Sequence, residues 1–509
     1  MLKRLSAAAL LLALGACTVG PDFAPPDWLS PASWFAKKAE PITPAPSMPV
    51  AEPIDPNWWN LFHDPILTGL ERRVAGENLD VQVATVRIAE SRAQLGVAGA
   101  AQFPTLNANG SYTHEKASDV GVFANSPSAL GASGASGSGT GGIRSTHLNP
   151  FDVYQVGFDA SWELDLWGKV RRSVESATAS VVASNEARRA TLLSSLAELA
   201  RDYIQLRGTQ ALLRIAHDNV RTAQQNLNLT QQRAAGGVTT DLDVANAAAQ
   251  LRTTAAEIPR LEQQESEQIN AICLLLGQPP NALQNELAPP KPIPPVPPTV
   301  PVGLPSELAR RRPDIRQAEA QLHAATADIG VAVANFYPSV TLSGSLGLQA
   351  VQPWRMFNID ARDYAVGPGV TIPIFQGGQL KATLELRKTQ QQEAAIDYQK
   401  VVLGAWHDVD NALTAYQTEQ ARRDQLIQAV AQNQRALGLA QSRYAEGVAD
   451  FLQVLTAQQN LLSTQQQLAL TTTNVSANLV ALYKALGGGW ETQLPVANDD
   501  LTPLGAPHL

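Results

Sequence analysis

The segment Arg443-Tyr444-Ala445-Glu446-Gly447-Val448-Ala449-Asp450-Phe451-Leu452-Gln453-Val454 decides the fold, because the chain contains a version of it twice. Shifted by 210 residues, Arg233 to Leu251 overlays Arg443 to Leu461, with identity at Arg233, Ala235, Gly237, Val238, Leu242, Val244, Ala247 and Leu251. Average composition gives only about one or two matches over such a span. In each copy a long Ala/Gln-rich helical pattern runs into Gly237 or Gly447, a residue that tolerates the left-handed position just past a helix end. Thr239, Thr240 or Asp450 then stands ready to N-cap the next helix. Each copy reads as the tip of a long helical hairpin.

Upstream of the tips, Lys169 to about Ala235 and Leu380 to about Glu446 are helical in pattern and free of proline. At about 1.5 Å per residue each spans roughly 95 to 100 Å, too long for one compact globule. The returning helices reach Leu276-Gly277 and Leu486-Gly487, and Pro259 is expected to kink the first. Their narrow apolar stripes and wide polar faces suit a thin-walled helical assembly or coiled coil.

The duplication extends further back. Shifted by 234, Asp80-Val81 overlays Asp314-Ile315, Gly96-Val97-Ala98 overlays Gly330-Val331-Ala332, and Pro104 overlays Pro338. Strict alternation follows each proline. Leu106, Ala108 and Tyr112 oppose Thr105, Asn107, Asn109 and Ser111, while Val340, Leu342, Leu346 and Leu348 oppose Ser339, Thr341, Ser343 and Ser345. A second strand sets Val156, Phe158, Ala160, Trp162, Leu164 and Leu166 against Gln155, Asp159, Ser161, Glu163 and Asp165, and Val366, Val370, Ile372 and Ile374 match it 210 residues later. The two shifts differ by 24 residues, an insertion between the paired strands of the first copy that includes the Gly/Ser-rich run 131–142.

One chain thus supplies four strands of about 10 residues with the alternation of a transmembrane β-barrel. An open sheet cannot lie in lipid, where each unpaired edge group costs several kcal/mol, and such barrels have at least about 8 strands, so two or more chains must contribute. A soluble sandwich would show the same alternation, and pattern alone leaves it open.

At the N-terminus, Lys3 and Arg4 precede an apolar run from Leu5 to Leu14 and then small residues, the layout of a secretory signal over residues 1–16. Leu14-Gly15-Ala16-Cys17 resembles the bacterial lipobox, whose cysteine is lipidated, and Thr18 after it leans towards the outer membrane. Residues 17–60 read as a Pro-rich, lipid-anchored arm, 61–278 as the first repeat, 279–305 as a Pro-rich linker, 306–490 as the second repeat and 491–509 as a tail. After the signal no run of about 18 apolar residues predicts a membrane helix. The net charge of −8 gives no reason to expect nucleic acid, and two cysteines make no disulfide framework.

Together these residues resemble the outer-membrane factors of tripartite efflux pumps of the RND type, in the TolC-like family, and specifically the lipoprotein branch typified by OprM and NodT. The resemblance covers nearly the whole mature chain. It rests on Cys17-Thr18-Val19-Gly20-Pro21-Asp22-Phe23, Trp58-Trp59 through Phe62, Asp64 and Pro65, Leu275-Leu276-Gly277-Gln278-Pro279-Pro280, Gly303-Leu304-Pro305-Ser306 through Arg311-Arg312-Pro313-Asp314-Ile315, and the tip Tyr444 to Leu455. It implies a homotrimer with one 12-stranded transmembrane β-barrel and a long α-helical periplasmic barrel. It implies a passive exit duct for small molecules such as drugs or toxic compounds, served by a periplasmic adaptor and an inner-membrane transporter. At the periplasmic aperture it places Asp241, Asp243, Tyr444, Asp450 and Leu452: Leu452 in a leucine ring, and Tyr444 and Asp243 in a hydrogen bond between hairpins. Two positions that often carry aspartate in the family are Gln453 and Thr456 here, so no acidic ring is carried over.

Asp159, Glu163 and Asp165 share the polar face of the second strand, with no basic residue among them, and are expected to line the pore and favour cations. Enzymatic signals are weak. Gly137-Ser138-Gly139-Thr140-Gly141-Gly142 lacks the Lys-Ser/Thr of a phosphate loop, His407, Asp408 and Asp410 lack metal-ligand spacing, and Cys273 reads as a small core residue. No metal and no cofactor beyond the lipid on Cys17 is expected. The alternatives are a type I secretion channel of the outer membrane and a lipid-anchored coiled-coil structural protein of the periplasm.

Overall fold

The computed structural model describes residues 18–26, 47–116, 150–303 and 311–492, so the signal segment, Cys17, the Gly/Ser run 131–142 and most of the tail lie outside the described residues. In chain order the elements are β1 (Met48–Val50), α1 (Pro65–Glu77), α2 (Leu79–Ala100), β2 (Thr105–Glu115), β3 (Phe151–Leu164), α3 (Lys169–Ala235), α4 (Asp241–Leu275) and the single turn α5 (Gln284–Leu287). They continue with β4 (Thr299–Pro301), α6 (Pro313–Ala334), β5 (Ser339–Ala350), β6 (Arg362–Thr371), α7 (Gln379–Ala445) and α8 (Phe451–Leu486). Two compact units result. The described parts of Met1–Phe23 with Ala93–Thr178 and Ala324–Gln391 form the first, and those of Ala24–Arg92, Ala179–His323 and Gln392–Leu509 the second.

The first unit is built on an antiparallel sheet ordered β2-β3-β5-β6, whose outer strands β2 and β6 each have one neighbour. Helices α2 and α6 stop just short of Pro104 and Pro338, which remove a backbone donor, and the strands begin directly after them. Register sorts the side chains by polarity. Ala108, Phe158, Leu346 and Tyr364 form one cross-strand row, while the next row on the opposite face is Asn107, Asp159, Ser345 and Ala365. Gly157 and Gly347 meet in the middle of the polar face, where a Cβ on Gly157 would lie 2.7 Å from the Gly347 Cα. Two expected strand ends move. β3 stops at Leu164 because Asp165 turns to cap α3, and β6 stops at Thr371, ahead of Pro373, so Ile372 and Ile374 lie beyond the ladder.

The start of the described chain is docked, not a free arm. The Val19 amide donates to the Trp167 carbonyl (3.1 Å), and the buried Arg172 donates to Asp22 (2.5 Å) and Glu175 (2.8 Å). Gly20, at φ +94°, packs so closely on Gly330 that a Cβ would stand 2.5 Å from the Gly330 Cα.

The second unit holds the helical hairpins. Asp64 caps α1 through the Ile66 and Leu67 amides, with Pro65 in the first turn. Glu71 on that helix is fully buried, and burial pushes its carboxyl well above the usual range. Trp58 stacks on Tyr483 (5.5 Å, 6°) and donates to the Gly488 carbonyl (3.1 Å), which ties the Trp58-Trp59 motif to the end of α8. Pro259 sits within α4 without ending it.

The Pro-rich linker is also held down. Arg207, fully buried on α3, donates to the carbonyls of Leu287 and Pro289 (3.0 Å each), and Ser476 on α8 donates to that of Pro294 (2.8 Å). β4 then pairs in parallel with β1, bringing the linker to the end of the Pro-rich arm. Polyproline segments leave their carbonyls unpaired internally, and buried donors on the long helices satisfy them here.

Candidate functional sites: the polar sheet face and the hairpin tips

The acids of the sheet's polar face are not the three the sequence suggests. Asp159 keeps its place, accepting a hydrogen bond from the Asn109 amide group of β2. Glu163 lies on the same face but is paired with Lys169 at 3.2 Å. Asp165 is not on the strand. It accepts from the amides of Val170 (3.1 Å) and Arg171 (2.9 Å) and pairs with the Arg171 guanidinium (3.2 Å), which makes it a capping group for α3. The expected run of three uncompensated acids is therefore corrected to one: the helix that follows the strand brings its own cations. Asp363, missed in the sequence, joins the face through the row Asn109, Gly157, Gly347 and Asp363. Its signal was present, since Asp363 alternates in phase with Ala365 and Gly367.

At the tips, α3 and α7 end in the same way. The Val238 amide reaches back to the Arg233 carbonyl and the Val448 amide to the Arg443 carbonyl, both at 2.9 Å, with Gly237 at φ +71° and Gly447 at φ +80°. Thr240 caps α4, and Asp450 caps α8 by accepting from the Gln453 amide (3.2 Å). Asp241 opens α4 as an exposed first-turn acid. Leu452 is 63 % exposed, and its counterpart in the first copy, Leu242, is 68 % exposed.

The hydrogen bond expected between Tyr444 and Asp243 is not made within the chain. Thr239, one turn earlier, donates to the Asp243 carboxylate, and the buried Tyr444 hydroxyl has no hydrogen-bond partner among the described residues. Arg233 holds Tyr444 instead. Its guanidinium lies 4.7 Å from the ring centroid, and Nη1 donates to the neighbouring Ala445 carbonyl at 3.0 Å. Tyr444 also packs edge-on against Phe451 (5.6 Å) in a core shared by both hairpins, with Leu227, Leu251 and Val454.

Behind this core, buried amides set the register of the hairpins. Asn226 donates to Gln458 (2.6 Å) and accepts from Gln441 (3.0 Å), and Asn219 donates to Gln465 (3.0 Å). The sequence overlay had singled out Arg233 as a repeated residue, but its partner on the other hairpin lies more than 200 positions away.

Comparison with known proteins agrees with this architecture. A sequence model described as outer membrane efflux protein matches residues 71–278 and 304–488. The chain is 33% identical over 509 residues to the probable efflux pump outer membrane protein TtgC of Pseudomonas putida, covering 98% of this chain and 99% of the relative. It is 30% identical to the probable outer membrane lipoprotein SilC of Salmonella typhimurium, over 96% of this chain and 99% of that one. Among solved structures, the outer-membrane channel OprN superposes with a TM-score of 0.83 at 33% identity, over 93% of this chain and all of that one.

Proposed function

The chain belongs to the outer membrane efflux protein family, and from that premise we propose that three copies close their sheets into one twelve-stranded barrel whose polar faces line the pore. As in its relatives, the protein is an outer-membrane efflux channel. The observation that carries the trimer is the two-faced sheet with both outer edges open. In hydrocarbon every unpaired N–H and C=O along β2 and β6 costs several kcal/mol, so the edges must meet other copies. Polarity then fixes orientation. The face with Leu106, Phe158, Leu346 and Tyr364 meets lipid, and the face with Asn107, Asp159 and Ser345 meets water. Gly157 and Gly347 leave the centre of the inner wall free of side chains, as a narrow lumen requires.

In this reading the duct is passive, and a periplasmic adaptor and an inner-membrane transporter supply the coupling and energy. Its cargo is small toxic molecules, the class suggested by relatives named for efflux. Cys17 carries the lipid, and Asp241, Asp243, Tyr444, Asp450 and Leu452 surround the periplasmic aperture, with Leu242 and Leu452 lining it. Asp159 and Asp363 give the lumen a cation preference that strengthens as salt is lowered from about 0.1 M to about 0.01 M and the Debye length grows from about 10 to about 30 Å. Purified protein in planar bilayers is the test. Cation-selective conductance from a species that native mass spectrometry weighs as a trimer is expected, with selectivity reduced by Asp159→Asn with Asp363→Asn. A stable monomer that forms no pore overturns the reading.

A further inference from the structure

On the face assigned to lipid, the apolar pattern breaks towards the hairpin end, where Asp152 pairs with His114 (2.7 Å) and where Arg362 stands. Arg362 stands in the row Gly110, Val156, Leu348 and Arg362, and so shares its face with Tyr364 and Val366 rather than with Asp363. A guanidinium facing lipid costs about 2 to 4 kcal/mol at the midplane and about 0 to 1 near the interface, so its height on the wall matters.

Aromatic residues give that height. Tyr112 and Tyr154, paired at 5.0 Å in the adjacent row, mark the hairpin end of the sheet, and Trp162 marks the end that leads into helices. From Tyr154 to Trp162 is about 26 Å along the strand at about 3.3 Å per residue, or about 20 Å along the membrane normal at a tilt of about 40°, which fits within the roughly 25 Å apolar band of outer-membrane barrels. Arg362 therefore lies in the aromatic belt at the hairpin end. No described helix is long and apolar enough to cross a membrane. In the barrel reading above the long helices belong to the periplasm, so the hairpin end belongs to the outer leaflet.

The connection from β5 to β6 completes the site. Backbone bonds from Arg355 to Gln352, Asn358 to Arg355 and Ala361 to Asn358 (3.0 to 3.1 Å) fold it into successive tight turns. The Arg362 Nε donates to the Ile359 carbonyl at 3.0 Å, which fixes the guanidinium against the loop while its two terminal nitrogens make no hydrogen bond to the described residues. Among the described residues neither Arg355 nor Arg362 has a carboxylate partner, whereas about half of the arginines there do. Close to them in sequence, Trp354, Phe357, Ile359 and Tyr364 are 69 to 85 % exposed. Unpaired guanidinium groups next to exposed aromatic and aliphatic side chains match a ligand with a phosphate head and hydrocarbon tails.

We propose that this hairpin binds a phosphorylated lipid of the outer leaflet, with Arg355 and Arg362 on the phosphate and Trp354, Phe357, Ile359 and Tyr364 against its acyl chains. The site rests on the barrel reading above, since that reading makes the Arg362 face the lipid face. Detergent-purified trimer is incubated with lipid A, with dephosphorylated lipid A or with inorganic phosphate, and bound lipid is counted by native mass spectrometry. Wild type retains lipid A about tenfold or more above the Arg355→Gln, Arg362→Gln double variant, retains little dephosphorylated lipid A, and is not stripped by millimolar phosphate. Both proteins give the same pore conductance. Equal retention of lipid A by the two proteins, or equal retention of its dephosphorylated form by wild type, overturns the site. So does displacement by phosphate alone, which would mean a simple anion patch. Loss of conductance in wild type would instead overturn the barrel.

Discussion

Arg233 ties the two hairpin tips together, because its guanidinium reaches from one hairpin onto Tyr444 and the Ala445 carbonyl of the other. Replacing it with Met keeps the length of the side chain but removes the stacking and the bond to Ala445, together about 1 to 2 kcal/mol per copy. We expect Arg233→Met to raise the conductance of the resting channel. Tyr444→Phe should leave it unchanged, since the hydroxyl has no hydrogen-bond partner among the described residues. The opposite ranking in planar bilayers would return the latch to Tyr444 and Asp243. Residue roles were the least legible part of the sequence. Asp165 continues the strand's alternation perfectly, and only the amides of Val170 and Arg171 show that it belongs to a helix. Asp159 was legible because its neighbours on both sides are strand residues.

Elements were easier to read, and the reason is local. A strand of period two after Pro104 or Pro338, or a helix ended by Gly237 or Gly447, is specified by residues within a few positions. The docking of the linker was hidden because its donors, Arg207 and Ser476, lie on helices distant in sequence. The close contact of Gly157 with Gly347 was hidden for the same reason, and it makes a sharp prediction. Any side chain at Gly347 meets the Val156 carbonyl at 2.9 Å, so Gly347→Val should separate β3 from β5 and abolish the proposed trimer, as read by native mass spectrometry in detergent. Gly367→Ala on the same polar face, with nothing within 4 Å of the new carbon, should assemble normally. Equal assembly of the two variants would show that the glycine pair is incidental.

At the scale of the whole molecule, the tandem duplication was legible from end to end, whereas the grouping of residues into units that cut across the repeats was not. The duplication also predicts tolerance. The second copy joins β5 to β6 through the short segment 351–361, so removal of residues 131–142 from the corresponding connection of the first copy should leave trimer yield and conductance intact. Loss of assembly in that deletion would assign the run a structural role. The open edges of the sheet have a further consequence, for the life of the chain before it reaches the membrane. A lone copy released into the periplasm exposes β2 and β6 as templates for any strand it meets. Productive closure needs successive encounters between copies in the right order, while a wrong pairing needs only one. Synthesis faster than membrane uptake therefore feeds aggregation, and the yield of channel should level off with induction while protease-sensitive, edge-paired oligomers accumulate in its place.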